Sequence, residues 1–144
     1  MATHISQSPE ETEQLGAELA QTLRPGAVVG LIGELGAGKT QFVKGIVRGL
    51  GIKKRIHSPT FTLVNEYLSE TVRCYHLDLY RLENSQQILS AGLDQYVAMD
   101  EAVTIIEWFD RWSADLPQPK TGMIIRIKTC DVAGRELTYE AVGA

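Results

Sequence analysis

Leu15, Leu19 and Leu23 recur at every fourth position after Ser8-Pro9-Glu10-Glu11, which supplies an N-cap serine, a first-position proline and a glutamate at N3. The spacing predicts an amphipathic helix that stops near Arg24, before Pro25-Gly26. Ala27-Val28-Val29-Gly30-Leu31-Ile32 is apolar on both faces, too short for a helix and closed by glycine, so it reads as the central strand of a parallel sheet buried between layers. From Lys39 to Leu50, the residues Phe42, Val43, Ile46, Val47 and Leu50 line one helical face, and Gly51 supplies the stop. Thr60 to Tyr67 and Thr71 to Tyr80 are rich in β-branched and aromatic residues and flank Leu68-Ser69-Glu70, a hairpin pattern. Asn84 to Leu93 predicts a helix with Ser85 as cap and Gly92 near its end. Val103-Thr104-Ile105-Ile106 is a second buried-strand run ending in Glu107, and Met123 to Ile127 and Arg135 to Tyr139 flank Asp131-Val132-Ala133-Gly134 as a second hairpin.

The length of 144 residues matches the prior for one domain, and 44% hydrophobic residues is enough material for one core, so residues 1–144 are expected to form one α/β unit without linker or repeat. Fourteen Lys and Arg against 18 Asp and Glu leave a net charge of −4, which argues against avid nonspecific binding of nucleic acid. Cys74 and Cys130 lack CxxC spacing and no secretory signal opens the chain, so a reducing cytoplasmic setting is expected. No apolar stretch approaches the ~20 residues of a membrane span.

Gly33-Glu34-Leu35-Gly36-Ala37-Gly38-Lys39-Thr40 fills every fixed position of GxxxxGK[ST] between a predicted strand and a predicted helix. Glycines let the backbone curl until successive N–H groups face an anion, and the helix N-terminus adds its positive dipole end. Lys39 can then reach β and γ phosphates and the Thr40 hydroxyl can hold Mg²⁺, chemistry suited to a nucleoside triphosphate. The competing explanation, a glycine-rich turn with a chance lysine, arises in roughly five random chains of this length in a thousand. The expected fold is therefore P-loop NTPase-like, three layers around a central mostly parallel sheet with antiparallel hairpins.

Such a site needs an acid at the end of a second buried strand to fix Mg²⁺ through its water shell or to orient water. Glu107 fits that pattern; its alternative is an exposed strand-end glutamate beside a packed Trp108. Strand alternation puts His76, Asp78 and Tyr80 on one face, which either points into a site or forms the wet face of an edge hairpin. Ser58-Pro59-Thr60-Phe61 is equally a nucleotide-sensing loop or a proline turn. His4, His57 and His76 lack metal-ligand spacing, so no zinc site is assigned. Trp108 and Trp112, four apart, would share a helical face and read as packing. Arg81 and Arg111 lie near the acidic motifs, where each could pair with Glu83 or Asp110. A guanine-reading NKxD motif is absent, the one DxxG match falls in the Asp131–Gly134 turn, and the eight arginines are scattered rather than gathered in a kinase-type lid.

The phosphate loop, then His57-Ser58-Pro59-Thr60-Phe61-Thr62-Leu63-Val64-Asn65-Glu66-Tyr67, then His76-Leu77-Asp78-Leu79-Tyr80-Arg81-Leu82, then Ile106-Glu107-Trp108 together resemble the TsaE (YjeE) family, from about Ser8 to Glu136. The resemblance implies a P-loop α/β fold, ATP hydrolysis with Mg²⁺, and work beside the TsaB and TsaD proteins in threonylcarbamoyl modification of adenosine 37 in tRNAs reading ANN codons, with tRNA met only through those partners. It carries functional roles onto Lys39, Thr40, Asp78 and Glu107, and implies that Ser8 and Val132 border the nucleotide. One departure is Phe109-Asp110-Arg111, where relatives often have proline after the Glu-Trp pair, which bears on the local loop shape. The reading from a different class is a nucleotide-dependent assembly module with negligible hydrolysis of its own.

Overall fold

The structure, a computed structural model, describes residues 2–34, 36–53, 56, 63–130 and 134–142. Strands β1 (Ala2–Ser6), β2 (Val28–Ile32), β3 (Val64–Leu68), β4 (Arg73–Asp78), β5 (Ala102–Glu107), β6 (Gly122–Thr129) and β7 (Arg135–Val142) form one sheet in the order β1-β7-β6-β2-β5-β4-β3. Neighbours from β6 through β2 and β5 to β4 are parallel, while β3 on one flank and β7 with β1 on the other attach antiparallel. This is the parallel centre with flanking hairpins that the apolar runs predict. β1 is an addition, because its only buried residue is Ser6 and its pairing with β7, from Ala2↔Tyr139 to Ser6↔Arg135, has no local signal.

Period-two alternation splits the core between the two faces. On β2, Val29 and Leu31 meet α1 (Pro9–Ala20) and α2 (Lys39–Gly49), while Val28 meets the opposite layer of α3 (Ser85–Ser90) and the 3-10 segments Leu93–Ala98 and Phe109–Arg111. Burying each such aliphatic side chain contributes about 1.5–3 kcal/mol, which is why the two-sided apolar runs occupy the middle of the sheet. The helices α1 and α2 approach until backbone meets backbone: a Cβ on Gly45 would lie 1.9 Å from the Glu13 carbonyl oxygen, and one on Gly16 2.3 Å from that of Phe42. Among the described residues no helix is long and apolar enough to cross a membrane.

Several boundaries differ from expectation. Helix α1 ends at Ala20 rather than near Arg24, because Gln21, Thr22 and Leu23 bond to carbonyls three residues back and tighten the last turn. Helix α3 is capped by Asn84, whose Oδ1 accepts from the Gln87 N–H at 3.0 Å, not by Ser85. It stops at Ser90, and left-handed Gly92 (φ 74°) turns the chain into the Leu93–Ala98 segment. The hairpin strands are shorter than Thr71–Tyr80 and Thr60–Tyr67 suggest, and Thr60–Thr62 lie outside the described residues.

Candidate phosphate-binding site

Parallel neighbours end together, so three chain segments converge at the carboxyl edge of the sheet. Leu31 of β2 is in register with Glu107 of β5, and Glu107 with Asp78 of β4. Beyond Ile32 the chain enters Gly33–Gly38, where Gly36 (φ 80°) and Gly38 (φ 99°) take the left-handed backbone that residues with a Cβ avoid. Gly38 is the N-cap of α2 and offers no side chain to it, so the first-turn N–H groups of that helix keep donors for an outside acceptor. Around Gly36 an added Cβ would meet nothing within 4 Å, which leaves the mouth of the loop open. Thr40 is exposed in the first turn of α2, and the ends of β2 and β6 close tightly behind the loop: a Cβ on Gly33 would lie 2.7 Å from the Ile127 carbonyl oxygen. Leu35 lies outside the described residues.

Lys39 is buried, its ammonium donating to the Gly33 carbonyl oxygen and lying 3.8 Å from the centre of the Trp108 ring. Burial lowers the pKa of this amine below its ordinary value, opposed by the charges of Glu107, Asp78 and Asp110 and assisted by Arg111. Trp108 takes this position through a left-handed backbone (φ 59°), an outlier for a bulky residue that costs on the order of 1–3 kcal/mol. That turn breaks the helical face expected for the two tryptophans. Trp112 instead stacks on Phe109 and donates its indole N–H to the Pro117 carbonyl at 2.9 Å. Phe109 fills the space beside Gly30, where a Cβ would lie 2.5 Å from its ring.

Glu107 and Asp78 are 6% and 4% exposed, which overturns both the exposed strand-end reading of Glu107 and the wet-edge reading of Asp78; β4 is an inner strand, covered by β3 and β5. Glu107 Oε2 lies 2.5 Å from His76 Nε2, and among the described residues His76 Nδ1 has no hydrogen-bond partner. An unmatched buried lone pair costs less than an unmatched N–H, so we assign the Nε2–H tautomer, donating to the carboxylate. Asp78 Oδ1 accepts from the Tyr80 N–H at 2.9 Å. Tyr80 does not share the buried face expected for it: it lies past the end of β4, 40% exposed, its ring 5.2 Å from that of Trp108. Arg111 pairs with neither acid proposed for it. Its Nη1 donates to the carbonyls of Leu79 and Leu82, each at 3.1 Å, and to that of Tyr80, tying the exit of β5 to the exit of β4.

Ser8 Oγ accepts from the Glu11 N–H at 3.1 Å, the predicted cap, and the start of α1 borders the loop: a Cβ on Gly38 would lie 3.8 Å from Thr12 Cγ2. Val132, like Ser58–Phe61 and His57, lies outside the described residues. His4 is in ring contact with Tyr139, and among the described residues no three His, Cys, Asp or Glu gather as metal ligands. Two contacts at the site escape sequence reasoning. His76 shares the strand face of Asp78, but no spacing ties it to Glu107, 31 residues on. Arg135 reaches the loop from almost 100 residues away.

A mixed sheet with helices on both faces, and a GxxxxGK[ST] loop between its central strand and the helix that follows, define a P-loop α/β protein. The family model described as "Threonylcarbamoyl adenosine biosynthesis protein TsaE" matches residues 6–137, and the chain belongs to that family. It is 40% identical over 136 residues to the tRNA threonylcarbamoyladenosine biosynthesis protein TsaE of Bacillus subtilis, covering 94% of this chain and 83% of that one. Identity to the protein of the same name from Nostoc sp. is 48% over 105 residues, 71% of this chain and 64% of that one. The crystal structure of Bacillus subtilis YdiB superposes with a TM-score of 0.79 at 37% identity, over 99% of this chain and 86% of that one.

Proposed function

We propose that this chain is an Mg²⁺-dependent ATP hydrolase serving threonylcarbamoyl modification of adenosine 37 in tRNAs reading ANN codons, acting with TsaB and TsaD proteins in the cytoplasm. The observation that carries the reading is the convergence, at one sheet edge, of the uncapped α2 N-terminus with Lys39 and of two buried carboxylates on the neighbouring strands. The loop from Gly33 to Thr40 cradles the phosphates, Lys39 leaves the Gly33 carbonyl for the β and γ phosphates, and Trp108 walls the site. The donor set suits Mg²⁺ held by substrate phosphates with few protein ligands, since this ion retains much of its water shell. Thr40 would hold it directly, and Glu107 and Asp78 through water; the ion would neutralise charge developing on the phosphates.

Calorimetric titration with Mg·ATP tests this, comparing the parent with Lys39→Ala. Tight binding by the parent and at least about a tenfold loss in the variant are expected, because the cradle loses the cation facing the β and γ phosphates. Unchanged affinity in Lys39→Ala would remove the reading. Binding without turnover, even with TsaB and TsaD added, would select the assembly module instead.

A further inference from the structure

The Walker-type loop has a weakness set by its own chemistry. Its curvature depends on Gly36 and Gly38, residues that visit either sign of φ with equal ease, so a free loop would fluctuate out of the shape that binds phosphate. Inside the loop only the Ala37 N–H to Glu34 and Lys39 to Gly33 bonds hold that shape among the described residues, so a contact from outside adds to its preorganisation. We propose that Arg135, at the start of β7, is a positioning residue that clamps the phosphate loop in its binding conformation. Its Nε donates to the Ala37 carbonyl at 3.1 Å and its Nη2 to the Gly36 carbonyl at 3.3 Å, while Nη1 is anchored on the Gly134 carbonyl at 2.9 Å.

A peptide unit is planar, with its C=O and N–H pointing in opposite directions. Holding the Ala37 carbonyl therefore aims the Gly38 N–H, and holding the Gly36 carbonyl fixes the Ala37 N–H, which donates to the Glu34 carbonyl at 3.1 Å and closes the turn of the loop. The fork geometry of a guanidinium lets one side chain grip two acceptors in fixed relation, which an ammonium cannot do. Hydrogen bonds from a cation also polarise these peptide groups and strengthen their N–H donors. All three guanidinium nitrogens of Arg135 donate to backbone carbonyls, two of them in the loop, and a Cβ on Gly38 would lie 3.8 Å from Nε. The start of β7 thereby becomes part of the phosphate site, with Arg135 acting through the loop.

The inference rests on the phosphate-binding reading, and the test separates the two. Mg·ATP is titrated into the parent, Arg135→Met, Arg135→Lys and Lys39→Ala, with thermal unfolding of each measured without nucleotide. Arg135→Met keeps the bulk of the stem and removes every donor. It should bind about tenfold more weakly at nearly unchanged unfolding temperature, and Arg135→Lys, able to grip one carbonyl, should recover part of the loss. Added guanidinium ion at low millimolar concentration should restore affinity to Arg135→Met but not to Lys39→Ala. Parent-like affinity in Arg135→Met beside a loss in Lys39→Ala overturns the clamp alone; parent-like affinity in Lys39→Ala overturns the phosphate site itself. Should Arg135→Met fail to fold, NMR of the parent decides: the Arg135 Nε–H must exchange slowly with solvent, and free exchange overturns the clamp.

Discussion

Each buried charge at the carboxyl edge of the sheet has a partner that limits what substitution can do there. Glu107 accepts from His76 and lies in the field of Lys39. A glutamine at 107 can still accept through its side-chain oxygen, so Glu107→Gln should fold and bind Mg·ATP about as the parent does. Under the proposed function it should hydrolyse at least about tenfold more slowly, since the lost charge would order the water shell of Mg²⁺. Asp78→Asn keeps an acceptor for the Tyr80 N–H and should behave alike. Single-turnover hydrolysis at saturating nucleotide measures both, and parent-like rates in Asp78→Asn would reduce that residue to a turn-former. On the same strand, fully buried Cys74 has its thiol pushed up from 9.0 to about 12 by burial, and Tyr139 is raised from 10.0 to about 12 chiefly for the same reason. The unfolded chain releases these protons first, so stability is full below pH 9 and falls as pH rises toward about 12. Melting temperatures measured between pH 8 and pH 11 should decline, and the slope should flatten in Cys74→Ala, which has no thiol to ionise.

At the level of elements, the α1–α2 contact holds the phosphate helix in place. Gly45 and Gly16 allow the two backbones to touch, which seats the start of α1 against Gly38 and keeps α2 pointing at the loop. Gly45→Ala would drive a methyl group into the Glu13 carbonyl, and because both partners are backbone, α1 has to shift as a unit. A loss of about 2–3 kcal/mol is expected, seen as a drop of several degrees in melting temperature. Nucleotide affinity should fall with it, since the displaced helix disturbs the loop; a stable variant with parent-like affinity would show that the contact is dispensable. The junction after β5 makes a similar point from the other side. Strained Trp108 is kept in its outlier backbone by the Arg111 N–H, which donates to the Trp108 carbonyl at 3.0 Å, and by Phe109 wedged against Gly30. The strain sits at the site, where the ring covers Lys39.

For the whole molecule, charge and arginine placement argue for dependence on partners. A net charge of −4 gives the chain as a whole no electrostatic attraction for tRNA, so under the proposed function substrate recognition would fall to TsaB and TsaD. P-loop sites gain about 10³- to 10⁵-fold when an arginine is delivered to the transition state. Arg111 is spent on three backbone carbonyls and Arg135 on those of Gly36, Ala37 and Gly134, so both are engaged elsewhere. Steady-state ATP turnover of the isolated chain should therefore be slow and rise at least about tenfold on adding TsaB and TsaD together, alongside nucleotide-dependent association. Equal turnover with and without the partners would count against the dependence.

Local patterns determined much of this protein. The apolar runs of β2 and β5, the fourfold spacing of α1 and α2, and the phosphate motif between strand and helix are encoded by neighbours in sequence, because periodicity and turn chemistry act over a few residues. Legible in the same way were the Ser8 cap and the candidacy of Lys39, Thr40, Asp78 and Glu107. Tertiary structure alone decided what those groups meet. Whether β4 was an inner strand or a wet edge depended on β5 lying beside it, a parallel pairing that no adjacent residue specifies. The His76–Glu107 hydrogen bond, the Trp108 ring over Lys39 and the grip of Arg135 on the loop are contacts between segments 31 to 98 residues apart or across a strained turn. Long-range contacts form only when packing brings their elements together, and a one-dimensional pattern carries no record of that distance.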